Sequence, residues 1–249
     1  MTISKGFKNV VKLRNIISVR DFGAVGDGTT NDTVAIQAAI DYWKSLLSRT
    51  AGDGLNIFSY AIATLWFPVG QYFHTVSLDM TSIRVLNAKI RMDGALLSQT
   101  SGTPGVDCTD SRWLIFDCLN IQSPTKATCP NVGILLARKT GDAVSGQHTF
   151  IKPVIQGNFT VSSLYNFASE QNSYYSPLLW NAYDTGSPTC FYVVGNNVAA
   201  ISSPYQTISA TGIPIGDILH QQGGPSLLER INLEAGDLQR LQGSAHSGN

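Results

Sequence analysis

Along the chain, the spacing of apolar residues changes once. Ile36, Ile40, Trp43 and Leu47 recur at i, i+4, i+7 and i+11, which is one stripe of a helix. The spacing predicts a helix over residues 32–48, begun by Asn31 or Asp32, whose side-chain oxygens accept from the unpaired N–H groups of a first turn. Arg49 to Ser59, with Gly52 and Gly54, reads as a loop. From Ala63 to about Ala200 the helical period is gone. Short apolar and β-branched runs replace it: Thr64–Phe67, Ile83–Ile90, Trp113–Phe116, Gly133–Leu136, Phe150–Ile155 and Cys190–Val194. Gly, Pro, Asn, Asp and Ser clusters separate them. The runs start roughly twenty-odd residues apart, the period of solenoid coils. A β-sandwich also gives many short strands, with turns every ~8–12 residues, and the runs alone do not separate the two.

The segment Val19 to Asp41 separates them. It contains Asp21-Phe22-Gly23-Ala24, Gly26-Asp27-Gly28, Asn31-Asp32-Thr33 and Ala35-Ile36-Gln37. This resembles the opening segment of the pectate-lyase-like superfamily, D-F-G-A-x-G-D-G-x-x-D-D-T-x-A-I-Q-x-A-I. One position departs, with Asn31 where the family has Asp, and Asn still caps. Leu65-Trp66-Phe67-Pro68-Val69-Gly70-Gln71-Tyr72 is similar to that family's first coil. The resemblance covers residues 19–72 and implies an all-β fold, a right-handed parallel β-helix, with the helix as an N-terminal cap. A cap of this kind has a physical reason, because an open solenoid end exposes unpaired backbone and apolar core. Residues 1–18 read as an attachment arm, 19–200 as cap and β-helix, and 201–249 as an irregular segment, a short helix and a mobile tail. The C-terminal helix is expected from a capping box of Ser226 and Glu229 and from Leu227, Ile231, Leu238 and Leu241 at heptad positions. Gly236 weakens it by roughly 1 kcal/mol.

Composition changes the picture in one respect. Only 14% of residues are charged and the formal net charge is zero, against about a quarter charged in ordinary soluble domains. Such a surface offers no electrostatic attraction for nucleic acid or an anionic membrane, and suits neutral hydrogen-bonding ligands such as sugars. No stretch reaches the ~20 apolar residues of a membrane helix, so no membrane insertion is expected. Met1 to Val19 lacks an uninterrupted apolar run of signal length, which points to synthesis in a cytoplasm without a signal peptide. Cys108, Cys118, Cys129 and Cys190 lack metal-site pairing and read as reduced, mostly buried thiols.

The superfamily contains polygalacturonases, pectate lyases and phage spikes, and the fold alone does not choose among them. The Asp-Asp pair and Gly-His-Gly of polygalacturonase-like enzymes and the Trp-Ile-Asp-His of calcium-dependent pectate lyases are absent. Residues 157–181, which include Leu164-Tyr165-Asn166 and Ser169-Glu170-Gln171-Asn172, resemble coils of bacteriophage tail spikes. That resemblance implies a virion tail spike or tail fibre, a homotrimer contacting other tail proteins and host surface polysaccharide, with no cofactor and no metal. The alternative it allows is a depolymerase of capsule or O-antigen. Glycoside hydrolysis commonly takes two carboxylates about 5–9.5 Å apart, and Glu170 with Asp184 is the candidate catalytic pair. Tyr174, Tyr175, Trp180 and Tyr183 lie close by in sequence as candidate sugar platforms. The competing reading has Glu170 in a coil turn and the aromatics in the core or between subunits.

Overall fold

The computed structural model describes residues 15–47, 63–137, 145–167, 169–170, 172–175, 177–182, 189–194, 206–211, 217–222, 227–232 and 242–243. Most of the N-terminal arm, the 49–59 loop and the tail after Gly243 lie outside these residues. The chain winds repeatedly through three parallel sheets. Sheet 1 stacks Ile16–Ser18, Thr64–Phe67, Arg84–Met92, Arg112–Asp117, Thr149–Ile151, Asn172–Tyr175, Gln206–Thr211 and Leu227–Asn232 in that order. Sheet 2 stacks Asp27–Asn31, Gln71–His74, Ala95–Ser98, Asn120–Ser123, Val154–Gly157 and Leu178–Asn181. Sheet 3 runs from Leu78–Asp79 through Val106–Asp107, Val132–Ala137, Ser162–Phe167, Thr189–Val194 and Asp217–Gln222 to Gln242–Gly243. This is the expected all-β parallel solenoid.

Each coil sets its inward side chain on the one before. Ile17, Leu65, Ile90, Phe116, Phe150 and Tyr174 are partners in register, and each is 0–1% exposed. Phe116 stacks on Phe150 at 4.7 Å between centroids, and Phe150 on Tyr174 at 4.9 Å, with rings nearly parallel. Each such contact adds about 0.5–1.5 kcal/mol beyond burial of the rings.

Left-handed residues interrupt the sheet 1 strands as well. Asn87 lies inside Arg84–Met92 and Trp113 inside Arg112–Asp117, where the register between these strands shifts, and Gln147 comes just before Thr149–Ile151; their φ values are 59°, 59° and 58°. Another left-handed residue, Lys152, followed by Pro153, breaks the apolar run expected as one strand over 150–155. It becomes Thr149–Ile151 in sheet 1 and Val154–Gly157 in sheet 2. Lys152 and Pro153 mark this corner, and the apolar residues on both sides of it, Phe150 and Ile155, face the same core.

Helix α1, Thr33–Leu46, closes the first coil. Ile36, Ile40 and Trp43 are fully buried, Leu47 just beyond the helix is 8% exposed, and the Trp43 indole Nε1 donates to the Ala63 carbonyl at 2.8 Å. The cap chemistry divides between two residues. Asp32 occupies the N-cap position, yet its carboxylate accepts from the Val25 and Gly26 amides at 2.7 and 3.0 Å, locking the preceding loop. Asn31 Oδ1 takes the Thr33 amide instead, at 3.0 Å. Gly26 (φ 70°) must be glycine, since a Cβ would sit 2.8 Å from the Tyr72 ring.

The C-terminal helix is a correction. Leu227–Asn232 is a strand paired in parallel with Gln206–Thr211. Two imperfect heptads with Gly236 are too short to hold a helix, whereas the open edge of Gln206–Thr211 supplies partners for the N–H and C=O groups that face it. Ser226 lies outside the described residues. Cys108 and Cys129 are buried free thiols and Cys118 is an exposed one.

Two buried histidines tie coils together. His74 Nδ1 lies 3.0 Å from the Val76 carbonyl oxygen and Nε2 2.6 Å from Ser98 Oγ, so the neutral ring donates to one and accepts from the other. Burial pushes the pKa of His74 down to about 4 and that of His148 to about 3. The unfolded chain takes up protons near pH 6.5 and the folded one does not, so stability is full above that pH and falls as pH drops. We predict that the unfolding free energy from urea titrations declines from pH 6.5 to 5 with a slope approaching roughly 1.4 kcal/mol per pH unit for each histidine. A flat stability profile over that window would refute the burial of both rings. Trp43→Ala should cost about 3–5 kcal/mol. An unchanged melting temperature would show that α1 does not seal the core.

Candidate functional site

Strand alternation sends every second residue of sheet 1 outward, and parallel register lines those residues up. One outward column is Trp66, Arg91, Asp117, Ile151 and Tyr175, each the register partner of the next. At about 4.8 Å per strand the column spans roughly 19 Å, the length of several sugar rings. Beside it runs a second column, Lys89, Ile115, Thr149 and Ser173. At the end nearest α1, Ile16, Thr64, Trp66, Lys89, Arg91 and Asp93 line a shallow groove of about 260 Å³.

The polar groups of this groove hold one another in place. The Trp66 indole Nε1 donates to Asp93 Oδ2 at 2.8 Å and Arg91 Nε donates to Asp93 Oδ1 at 3.1 Å. Lys89 Nζ sits 2.7 Å from Asp117 Oδ2 on the neighbouring strand. The indole hydrogen bond, followed by the Arg91 guanidinium, holds the Asp93 carboxyl below the ordinary carboxylate range. Partial burial and the charge of Asp117 push the Cys118 thiol up, so it stays protonated near neutrality. The arrangement presents an oriented indole face edged by donors and acceptors, which is the chemistry of a sugar contact.

The residues expected from sequence are distributed differently. Tyr174 is 1% exposed, sits in the core stack on Phe150, and has Asn166 and Asn172 beside its hydroxyl. Its ring is a structural member of the ladder and not a surface platform. Tyr175, the next residue, points out and is 49% exposed on sheet 1. Trp180 is 38% exposed on the outer face of sheet 2, in register with Gln156. Tyr175 and Trp180 therefore face different sides of the solenoid. Glu170 lies in the strand Ser169–Glu170, paired with Ser145–Gly146, and its side chain falls outside the described residues. Asp184 and Tyr183 also fall outside them. Among the described residues no group of three His, Cys, Asp or Glu could hold a metal ion.

Trp66, Lys89, Arg91, Asp93 and Asp117 were not singled out by sequence. The signal that finds them is the recurrence, about 25 residues apart, of polar or aromatic residues at outward positions of successive coils. Reading it requires the register, which only the fold supplies.

Among known proteins, the family match falls on the first coils of the solenoid. Residues 16–99 match the family model described as rhamnogalacturonase A/epimerase, pectate lyase-like. The mannuronan C5-epimerases AlgE1 and AlgE3 of Azotobacter vinelandii are each 44% identical over 55 residues. That stretch is 22% of this chain and only 3% and 2% of those proteins, so the chain spans a small part of the length of the curated relatives it matches. Among solved structures, ORF18 of Geobacillus virus E2 superposes with a TM-score of 0.44 at 16% identity, covering 81% of this chain and 48% of that one. The A-module of the Azotobacter vinelandii mannuronan C-5 epimerase AlgE4 gives 0.40 at 17% identity, covering 76% and 55%.

Neighbouring residues of one strand should answer oppositely to truncation. Leu65→Ala is expected to cost about 2–5 kcal/mol. Trp66→Ala, although it removes the larger side chain, should cost within roughly 1 kcal/mol because the indole faces outward. If chemical denaturation ranks the two the other way, the outward face of sheet 1 has been misassigned.

Proposed function

We propose that this chain, whose residues 16–99 form a pectate-lyase-like segment, is a bacteriophage tail spike or tail fibre protein that binds host surface polysaccharide. The outer face of sheet 1 is the sugar-contacting surface. The observation that carries the glycan reading is the outward column from Trp66 to Tyr175, with the half-buried Trp66 indole at one end, the exposed Tyr175 ring at the other, and Arg91, Asp117 and Ile151 between them. Aromatic faces stack on the C–H faces of sugars, and oriented carboxylates and guanidinium groups serve the hydroxyls. The virion assignment rests on the likeness of residues 157–181 to tail-spike coils.

The assembled form is a homotrimer in this reading. The outer face of sheet 3 carries Leu135, Tyr165 and the 42% exposed Phe167, an apolar surface that subunit contacts would cover. Light scattering of the intact protein at micromolar concentration should give three times the chain mass, and a monomer mass would exclude this assembly.

The depolymerase alternative keeps the same surface and adds Glu170 and Asp184 as acid and partner. The mannuronan epimerases matched over 55 residues are themselves enzymes of a polysaccharide, which favours weighing it. Labelled protein incubated with host cells should adsorb to strains with intact surface glycan and fail on glycan-deficient mutants. Trp66→Ala should reduce adsorption about tenfold. Size analysis of the polysaccharide should show no fragments. Fragment release that Glu170→Gln abolishes would replace the binding role with the enzymatic one.

A further inference from the structure

The charges around this groove are not free. Between Arg84 and Asp117, each cation on the outer face of sheet 1 has a partner. Arg84 pairs with Asp110, Lys89 with Asp117 and Arg91 with Asp93. The Arg112 guanidinium lies 4.5 Å over the Trp113 ring and donates to Gln147 Oε1 at 3.4 Å. The groove residues Lys89 and Arg91 are thus neutralised by carboxylates on a neighbouring strand and two residues along. The Trp66 N–H is committed to Asp93, which leaves the indole its face, and Ile16 beside it is 44% exposed.

We infer that the groove of Trp66, Lys89, Arg91 and Asp93 selects uncharged, hydroxyl-rich sugars and discriminates against uronic acids and other anionic residues. This rests on the glycan-binding reading above. A ligand carboxylate that reached the remaining N–H groups of Arg91 or Lys89 would come to rest beside Asp93 or Asp117, whose charge already neutralises that cation, and like charges at that range repel. A sugar hydroxyl meets no such conflict. It donates to the spare lone pairs of Asp93 or Asp117 and accepts from the unused guanidinium N–H groups of Arg91, whose side chain is 56% exposed. The apolar ring face rests on the indole. The ion pairs are then the selective element: they hold the donors and acceptors in place and deny the site a net positive charge.

The test compares oligosaccharides of mannose and of mannuronic acid with the same linkage and length, which differ only in a hydroxymethyl or carboxylate at C6. They are printed within a wider panel of neutral and acidic bacterial glycans and probed with the intact protein. Wild type should bind neutral members at least about tenfold more tightly than acidic ones. Its affinity should change less than about twofold between about 0.05 and 0.5 M salt. Asp93→Asn keeps an acceptor for the indole but leaves Arg91 unpaired, and Asp117→Asn does the same for Lys89. Each variant, with melting temperature retained as the check on folding, should gain about tenfold for acidic members, and that gain should vanish in high salt. A wild type that prefers acidic members, or variants whose neutral-to-acidic ratio does not move, would overturn the inference and leave the glycan reading standing. Binding to no member of the panel, or binding indifferent to Trp66→Ala, would overturn the glycan reading of the groove itself.

Discussion

In a parallel solenoid each side chain rests on its counterpart one coil earlier, because strands pair in register at about 4.8 Å and cannot slide without flipping faces. The column from Ile17 to Tyr174 shows how that contact is satisfied, with aliphatic groups in the first coils and three stacked rings after them. Phe150 lies between two rings of matching shape, so Phe116, Phe150 and Tyr174 depend on one another. Tyr174 brings a hydroxyl into the core, and Asn166 and Asn172 are there to meet it. The irregular points answer to the same requirement. Trp113, inside the strand Arg112–Asp117, holds a left-handed backbone at an energetic cost of roughly 1–2 kcal/mol where the register with Arg84–Met92 shifts.

The register that builds the core also organises the surface. Inward Leu65, Ile90 and Phe116 fix, one residue further on, the positions of Trp66, Arg91 and Asp117. Exposed ion pairs such as Arg91 with Asp93 contribute little to stability. Their effect is geometric. Asp93 takes both the indole N–H and the guanidinium, so the ring and the cation are held relative to each other by one carboxylate. Residues distant in sequence become adjacent groups without any loop being ordered for the purpose.

Much of the fold was legible in advance because it follows from local chemistry. The stripe Ile36, Ile40, Trp43 and Leu47 needs only helical period, and the loop from Asp21 to Asp32 needs glycines where backbone and ring come close, as Gly26 and Tyr72 do. The failures share a cause. Tyr174 and Tyr175 are adjacent and chemically alike, and a shift of one residue in register decides which is core and which is surface. Leu227 to Ile231 satisfies a helical heptad and a strand equally well, and the choice was made by a neighbouring strand edge that no local pattern announces. The groove was invisible for the same reason: its members are polar residues in separate coils, each ordinary in its own context.

The unequal widths of the three sheets also have a mechanical side. Backbone hydrogen bonds run along the solenoid axis, so tension applied along that axis pulls directly on the ladders between coils. Near α1, sheet 2 joins Gln71–His74 to Ala95–Ser98 through four residue pairs, whereas sheet 3 joins Leu78–Asp79 to Val106–Asp107 through two. The sheet 3 seam is carried past its short strands by the Met80 N–H to the Asp107 carbonyl and the Ser82 N–H to the Thr109 carbonyl, at 2.8 and 3.0 Å, so a pull along the axis is shared among the sides of the coil.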